Sequence, residues 1–168
     1  MTQLVSVLII TSMIHTGCDD MKFKGNTPDV KAPPKQQWPF CPRSVRIHPF
    51  TTFEKNDEDL WQLKIHLELL DLQGDPSKGL GQLQIELYEL KQNQPNPVFD
   101  KKLEHVNIDL SDSTKSQNYY DRITRTYLYS LTVDPIPAPN KRLQLSVQFT
   151  DIYENKMINK MIIQSPAN

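Results

Sequence analysis

Apolar and polar residues alternate along most of the chain from residue 43 onward. In residues 142–149 (RLQLSVQF), Leu143, Leu145, Val147 and Phe149 stand at every second position. Successive side chains of a β-strand point to opposite faces, so this spacing predicts a strand with one buried face and one solvated face. Six further stretches predict strands for the same reason, the last of them less clearly: residues 43–48, 61–69, 82–89, 106–110, 127–133 and 157–164.

The segments between these stretches are rich in residues that favour turns. Residues 71–81 (DLQGDPSKGLG) contain three glycines and one proline, and residues 134–140 (DPIPAPN) contain three prolines. Proline in a strand interior removes a ladder hydrogen bond, so these segments are predicted to be loops. About seven strands joined by such turns predict an all-β fold. We expect a single antiparallel β-sandwich with immunoglobulin-like or transthyretin-like architecture.

One stretch also fits a helix. Leu60, Leu63, Leu67 and Leu70 have helical spacing, and residues 56–59 (NDED) could cap the N-terminus of such a helix. A helix would leave Ile65 and Leu69 off its apolar face, whereas a strand uses every apolar residue from 61 to 69. The pattern therefore favours a strand.

The N-terminus differs from the rest of the chain. Residues 4–14 (LVSVLIITSMI) are apolar or uncharged, and residues 1–18 contain no Asp, Glu, Lys or Arg. A membrane-spanning helix needs about 20 apolar residues, so this stretch is too short to be one. Its length is typical of the apolar core of a secretory signal peptide.

Cys18 ends this leader. Residues 15–18 (HTGC) resemble the lipobox of bacterial lipoproteins, in which small residues precede a cysteine that is lipidated and becomes the new N-terminus. The resemblance implies a lipid anchor on Cys18, which holds a protein firmly when two or three acyl chains are attached. It also implies a location in the cell envelope, facing the periplasm or the outside. The alternatives are a signal peptide cleaved at another position and an apolar leader of no significance.

Three regions follow from these patterns. Residues 1–17 are predicted to be the signal peptide. Residues 18–42 are predicted to be a lipidated cysteine and a tether, because five of the 24 residues from 19 to 42 are proline and no apolar period is present. Residues 43–168 are predicted to form the β-sandwich domain. Trp38 and Phe40, at the end of the tether, are expected to be the first side chains to dock on it.

Composition and charge exclude one class of function. The formal net charge is −1, with 19 basic and 20 acidic residues distributed along the chain. Binding to nucleic acid requires a concentrated basic face. We therefore expect no nucleic acid among the partners. The partners that we do expect are a membrane, through the lipid anchor, and an envelope protein.

The sequence contains no motif of a known catalytic chemistry. His48, His66 and His105 are isolated from one another, without the spacing of metal ligands, and each is expected to be an exposed strand residue. Cys41 is expected to be a half-buried free thiol if Cys18 carries lipid, although it could also join two chains. We predict that the protein is not an enzyme and has no cofactor.

Two weaker groups of residues could bind something. Asp71 and Asp75 share one predicted loop, and Asp109 and Asp112 lie at the end of a predicted strand. If both loops lie at the same end of the sandwich, their carboxylate oxygens could bind Ca²⁺. The simpler interpretation is four solvated loop carboxylates, and we predict no metal.

The second group is residues 119–127 (YYDRITRTY). Tyr119, Tyr120, Arg122 and Arg125 are of the types that dominate protein interfaces, because they bury a large area at low entropic cost. The competing interpretation is that Asp121 pairs with an arginine and fastens the loop to the sheet. Arg125 is expected to be the structural arginine, because it is predicted to lie at the start of a strand, and Arg122 the one that contacts a partner.

The domain also resembles a known class of proteins. Residues 46–54 (RIHPFTTFE), 66–90 (HLELLDLQGDPSKGLGQLQIELYEL) and 119–131 (YYDRITRTYLYSL) are similar to segments of small uncharacterised lipoproteins of planctomycete-type bacteria. The resemblance implies a lipidated leader with one β-sandwich domain, and no reaction. We expect a non-catalytic interaction or structural module. Alternatives are a module that binds Ca²⁺ or carbohydrate, and a scaffold lipoprotein of a secretion complex like the transthyretin-like lipoproteins.

Overall fold

The computed structural model describes residues 40–167, which form ten strands and one short helix. Seven of the strands overlap the seven alternating stretches of the sequence, although β6 begins seven residues before the predicted stretch 106–110. The elements are β1 (Ser44–Ile47), β2 (Thr52–Lys55), β3 (Trp61–Leu70), β4 (Pro76–Ser77), β5 (Gly81–Leu90), β6 (Phe99–Asp109), α1 (Ser113–Tyr119), β7 (Tyr120–Asp121), β8 (Thr126–Thr132), β9 (Arg142–Asp151) and β10 (Lys156–Gln164).

The first sheet is built around β3. Strands β1 and β2 pair with its two halves, with Ile47 opposite Leu67 and Phe53 opposite Leu63. On the other edge β3 pairs with β8, with Ile65 opposite Tyr129, and with the two-residue β4. Strand β7 extends the sheet beyond β8. Every pairing in this six-stranded sheet is antiparallel.

The second sheet has the order β10-β9-β5-β6, and its pairings are also antiparallel. Leu83 lies opposite Phe149 in the central pair, and Leu145 lies opposite Met161 in the outer pair. The register between β5 and β6 shifts twice, after Leu87 and after Glu89. Such irregularities increase the local twist of an edge strand and discourage further pairing.

The apolar faces of the two sheets form one core. Ile65, Ile85, Leu145 and Phe149 are 0% exposed, as the alternation requires for side chains between two packed sheets. The predicted all-β sandwich is therefore confirmed. The buried apolar residues of the core are Val45, Ile47, Leu63, Ile65, Leu67, Leu69, Leu83, Ile85, Leu87, Ile108, Leu110, Tyr127, Leu131, Val133, Leu143, Leu145, Val147, Phe149 and Met157.

The stretch that also fits a helix is the central strand β3, so the prediction of a strand is confirmed. Ile65 and Leu69 are buried against the second sheet, which a helix could not have achieved. Trp61 shares their face, but it stands at the end of the strand and is only half-buried.

The alternation did not predict helix α1 or the short strands β2, β4 and β7. The carboxylate of Asp112 caps the N-terminus of α1 by accepting hydrogen bonds from the amides of Thr114 and Lys115. Ser116 is the one buried residue of α1, and its hydroxyl donates to the hydroxyl of Tyr127 at 3.3 Å. A seven-residue helix that buries a single serine has no apolar period to detect.

Several predictions concern residues outside the described range. These are the signal peptide, lipidation of Cys18, the tether up to residue 39 and docking of Trp38. Within the described range Cys41 is a half-buried free thiol, and Phe40 is exposed. No helix within residues 40–167 has the length and apolar content needed to cross a membrane.

Candidate functional site

Strands β7 and β8 form a hairpin whose loop comprises residues 122–125. Ile123, at its apex, is 94% exposed, and both Arg122 and Arg125 beside it are exposed. We refer to Arg122, Ile123 and Arg125 as the hairpin tip. An apolar side chain between two guanidinium groups combines two kinds of interaction that protein interfaces use.

Hydrogen bonds hold the loop behind the tip to the first sheet. The carboxylate of Asp121 accepts from the amide of Ile123 and from the hydroxyl of Thr124, both at 2.8 Å. The Thr124 hydroxyl also lies 2.8 Å from that of Thr126, which is 0% exposed. The Thr126 hydroxyl in turn lies 3.0 Å from Nδ1 of His66 on the central strand. The tip is therefore presented in a fixed position.

The ionisation of the two titratable groups agrees with this network. The hydrogen bond from the Ile123 amide, followed by that from the Thr124 hydroxyl, lowers the pKa of Asp121. Burial, followed by the charge of nearby His48, lowers the pKa of His66. At neutral pH the carboxylate is therefore ionised, and the imidazole is neutral.

The expected pairing of Asp121 with an arginine is wrong. The loop's own amides and hydroxyls satisfy the carboxylate, because Ile123 and Thr124 follow it directly in the turn. Neither Arg122 nor Arg125 forms a side-chain hydrogen bond or ion pair within residues 40–167. The prediction that Arg125 begins a strand is also wrong, because it has a φ of 58° and β8 begins one residue later. Both guanidinium groups are therefore available to a partner.

The four predicted interface residues do not form one surface. Tyr120 packs edge-on against Tyr127, with 5.3 Å between ring centroids, and the ammonium group of Lys78 lies 4.1 Å from its ring. Tyr119 instead pairs with Tyr129, at 6.1 Å between centroids. Tyr120 thus has a packing role, whereas Tyr119 belongs to a separate depression.

That depression is a cleft between β6, α1 and β8, with a volume of about 320 Å³. We refer to it as the polar cleft. Asp109 and Tyr119 were among the predicted candidates, but the other polar lining residues were not, because the lining comes from three separate elements and one of these is the unpredicted helix. Its lining residues are Val106, Asn107, Ile108, Asp109, Lys115, Asn118, Tyr119 and Tyr129.

Asp71 and Asp75 do not present two open carboxylates to a cation. Oδ1 of Asp71 accepts hydrogen bonds from the amides of Gln73 and Asp75 at 2.9 and 3.0 Å, and so closes its own turn. Asp71 is also buried, which leaves its second oxygen little access to solvent.

Asp109 and Asp112 are also engaged locally. Asp109 accepts from the amide and hydroxyl of Ser111 and from the side chain of Gln82, and Asp112 caps α1. Gly81 exchanges backbone hydrogen bonds with Leu110, so this loop lies at the end of the sandwich where β5 begins. Residues 40–167 contain no group of three or more His, Cys, Asp or Glu that could hold a metal ion. The Ca²⁺ hypothesis therefore receives no geometrical support.

Two of the three histidines within residues 40–167 also differ from expectation. His105 is an exposed strand residue as predicted, but His66 is half-buried in the network behind the hairpin tip. His48 is half-buried after β1, where its Nδ1 accepts from the amide of Phe50 at 3.2 Å. The prediction of an exposed strand residue is therefore wrong for His48 and His66.

No family model, no curated protein and no solved structure matches the chain. The function of the domain must therefore be inferred from its own side chains.

Proposed function

We propose that this protein is a lipid-anchored component of a bacterial cell envelope, and that its β-sandwich is a non-catalytic module that binds a protein partner. The hairpin tip is the observation that supports this proposal. Ile123 is almost fully exposed, yet the loop that carries it is fixed by four hydrogen-bonded side chains behind it: Asp121, Thr124, Thr126 and His66.

Isolated exposed apolar residues are common, so exposure alone does not indicate an interface. The hairpin tip differs from the other turns in its charge. In the β9–β10 turn Ile152 is 56% exposed, but its neighbours include Asp151 and Glu154 and no arginine. At the hairpin tip the exposed Arg122 directly precedes Ile123, and the exposed Arg125 follows Ile123 by two residues.

This chemistry specifies the kind of partner. Burying an exposed isoleucine contributes about 1.5–3 kcal/mol, and a fixed loop loses little conformational entropy on binding. Each guanidinium group can form paired hydrogen bonds with a carboxylate. The partner surface should therefore have a small apolar pocket with acidic groups at its rim.

The anchor rests on the apolar leader and the lipobox-like residues that end at Cys18. We expect the mature protein to begin with a modified Cys18 and to partition into detergent. Cys18→Ser should release the protein or leave it unprocessed. Intact mass spectrometry of protein from envelopes checks this, and a mature N-terminus at an unmodified Cys18 or at Thr16 would contradict the anchor.

Two substitutions test the hairpin tip. Arg122→Ala and Ile123→Ser in the full-length protein should each weaken capture of the partner from detergent-solubilised envelopes by about 30-fold, the effect of losing a binding hot spot. Both side chains are exposed, so the melting temperature should stay nearly unchanged.

Ile152→Ser is the matched control, because it alters an exposed isoleucine in another turn. It should preserve both capture and melting temperature. If Arg122→Ala and Ile123→Ser capture as much partner as Ile152→Ser and the unaltered protein do, the hairpin tip is not the contact surface. A lower melting temperature with unchanged capture would assign the tip a structural role instead.

A further inference from the structure

The polar cleft presents aromatic rings beside side chains that can form further hydrogen bonds. The rings of Tyr119 and Tyr129 lie 6.1 Å apart between centroids and are inclined by 38°. Both side chains are half-buried, so part of each ring is open to the cleft. Tyrosine rings offer an apolar surface together with a polar hydroxyl group.

Much of the hydrogen-bonding capacity of the cleft is unused. The side-chain amides of Asn107 and Asn118 and the hydroxyls of Tyr119 and Tyr129 form no hydrogen bonds with other residues of the described range 40–167. Each amide can donate and accept, and so can each hydroxyl. The cleft therefore suits a ligand that carries several groups able to do both.

The charge of the cleft is balanced. Nζ of Lys115 lies 3.4 Å from Oδ2 of Asp109, and these are the two charged residues among those that line the cleft. The Ser111 hydroxyl holds the pKa of Asp109 at about 2, so the carboxylate is ionised at neutral pH. Because one positive and one negative group face each other, the cleft selects neither an anion nor a cation.

We propose that the polar cleft binds a neutral saccharide. The ring hydroxyls of a sugar donate to and accept from Asn107, Asn118 and the tyrosine hydroxyls, and the apolar face of the sugar packs on a tyrosine ring. A volume of about 320 Å³ is at the lower end of small-molecule pockets, which matches one or two sugar rings rather than a long chain.

This site is separate from the hairpin tip. None of Arg122, Ile123 and Arg125 lines the cleft. A protein partner at the tip and a saccharide in the cleft would therefore be two functions of one domain, and either can fail without the other.

Saccharide binding can be measured by ligand-observed saturation-transfer NMR on the full-length protein in a detergent without a sugar headgroup. The neutral probes are glucose, galactose, mannose, N-acetylglucosamine and their disaccharides. Glucuronate and glucosamine provide an anionic and a cationic comparison. A ligand of this size with ordinary efficiency should bind with a Kd of about 1 mM.

Two variants remove single groups from the cleft. Tyr129→Phe deletes a hydroxyl, and Asn118→Ala deletes an exposed amide, so each should weaken binding about 3- to 10-fold. The matched controls are Tyr120→Phe, which alters the neighbouring tyrosine outside the cleft, and Asn96→Ala, which alters an exposed loop residue. Both controls should bind as the unaltered protein does. Circular dichroism confirms that each variant is folded.

Binding of at least one neutral probe, weakened by both cleft variants and by neither control, supports the proposal. Absence of transfer to every neutral probe at about ten times the expected Kd overturns it. Binding of the charged probes alone, or binding that the cleft variants leave unchanged, overturns it equally.

Discussion

Three turns are held by the same arrangement of one side-chain oxygen and two backbone amides. Oδ1 of Asn56, Asp71 or Asp151 accepts from the amides two and four residues later, at 2.8–3.0 Å. The residue three positions later has a positive φ in each case. Asn and Asp stabilise turns in this way, which is why Asp71 serves its own loop rather than a cation.

Asp109 provides a test at the scale of one residue. Its pKa is about 2, below the usual 3.8, chiefly because the Ser111 hydroxyl donates to the ionised form. A lowered carboxyl pKa contributes stability that is present above the unfolded value and is lost as the pH falls through the folded value. The contribution of Asp109 should therefore disappear between about pH 4 and pH 2.

Ser111→Ala should raise the pKa of Asp109 towards 3.8, although the amide of residue 111 still donates to it. Carbon-13 NMR titration of the carboxyl groups measures this pKa directly. Ser130→Ala, at an exposed serine on β8, is the control and should leave it unchanged. If Ser111→Ala also leaves the pKa at about 2, the hydroxyl is not its main cause.

Among the elements, every strand of nine or more residues was predicted, whereas the short strands β2, β4 and β7 were not. In β9, Leu143, Leu145 and Phe149 alternate with polar residues over ten positions, and this pattern alone predicts a strand with a buried face. Strands β4 and β7 have two residues each, so no period exists to be recognised. Tertiary packing determines these elements, as it does α1, whose one buried residue is a serine.

The β7–β8 hairpin provides a test at the scale of an element. Asp121→Ala removes the acceptor of the Ile123 amide and the Thr124 hydroxyl, so the loop should become more mobile. We expect the amide of Ile123 to exchange its hydrogen several-fold faster and partner capture to weaken, although the tip residues are unchanged. Hydrogen exchange followed by NMR measures the first effect.

Asp121→Asn retains one side-chain oxygen as an acceptor and serves as the matched variant. It should preserve most of the protection of the Ile123 amide and most of the capture. Equal exchange rates in the unaltered protein and in Asp121→Ala would show that the carboxylate does not fix the loop.

At the scale of the whole molecule, the sandwich brings together residues that are distant along the chain. Between the two sheets, the side-chain oxygen of Asn159 in β10 accepts a hydrogen bond from the amide of Ile47 in β1, at 3.4 Å. In the polar cleft, Asn107, Asn118 and Tyr129 converge from β6, α1 and β8. Periodicity determines which face a residue occupies but not which residues of different elements meet. The cleft therefore could not be predicted from the sequence.

We propose above that the hairpin tip contacts a protein partner in the envelope. A photo-crosslinking amino acid placed at position 123 of the full-length protein, in cells that produce it, detects such a contact where it forms. The matched site is position 152, an exposed isoleucine in the β9–β10 turn. We predict one discrete adduct from position 123 that weakens when Arg122→Ala is added, and no such adduct from position 152. The absence of an adduct from position 123, or the same adducts from both positions, would contradict the proposal.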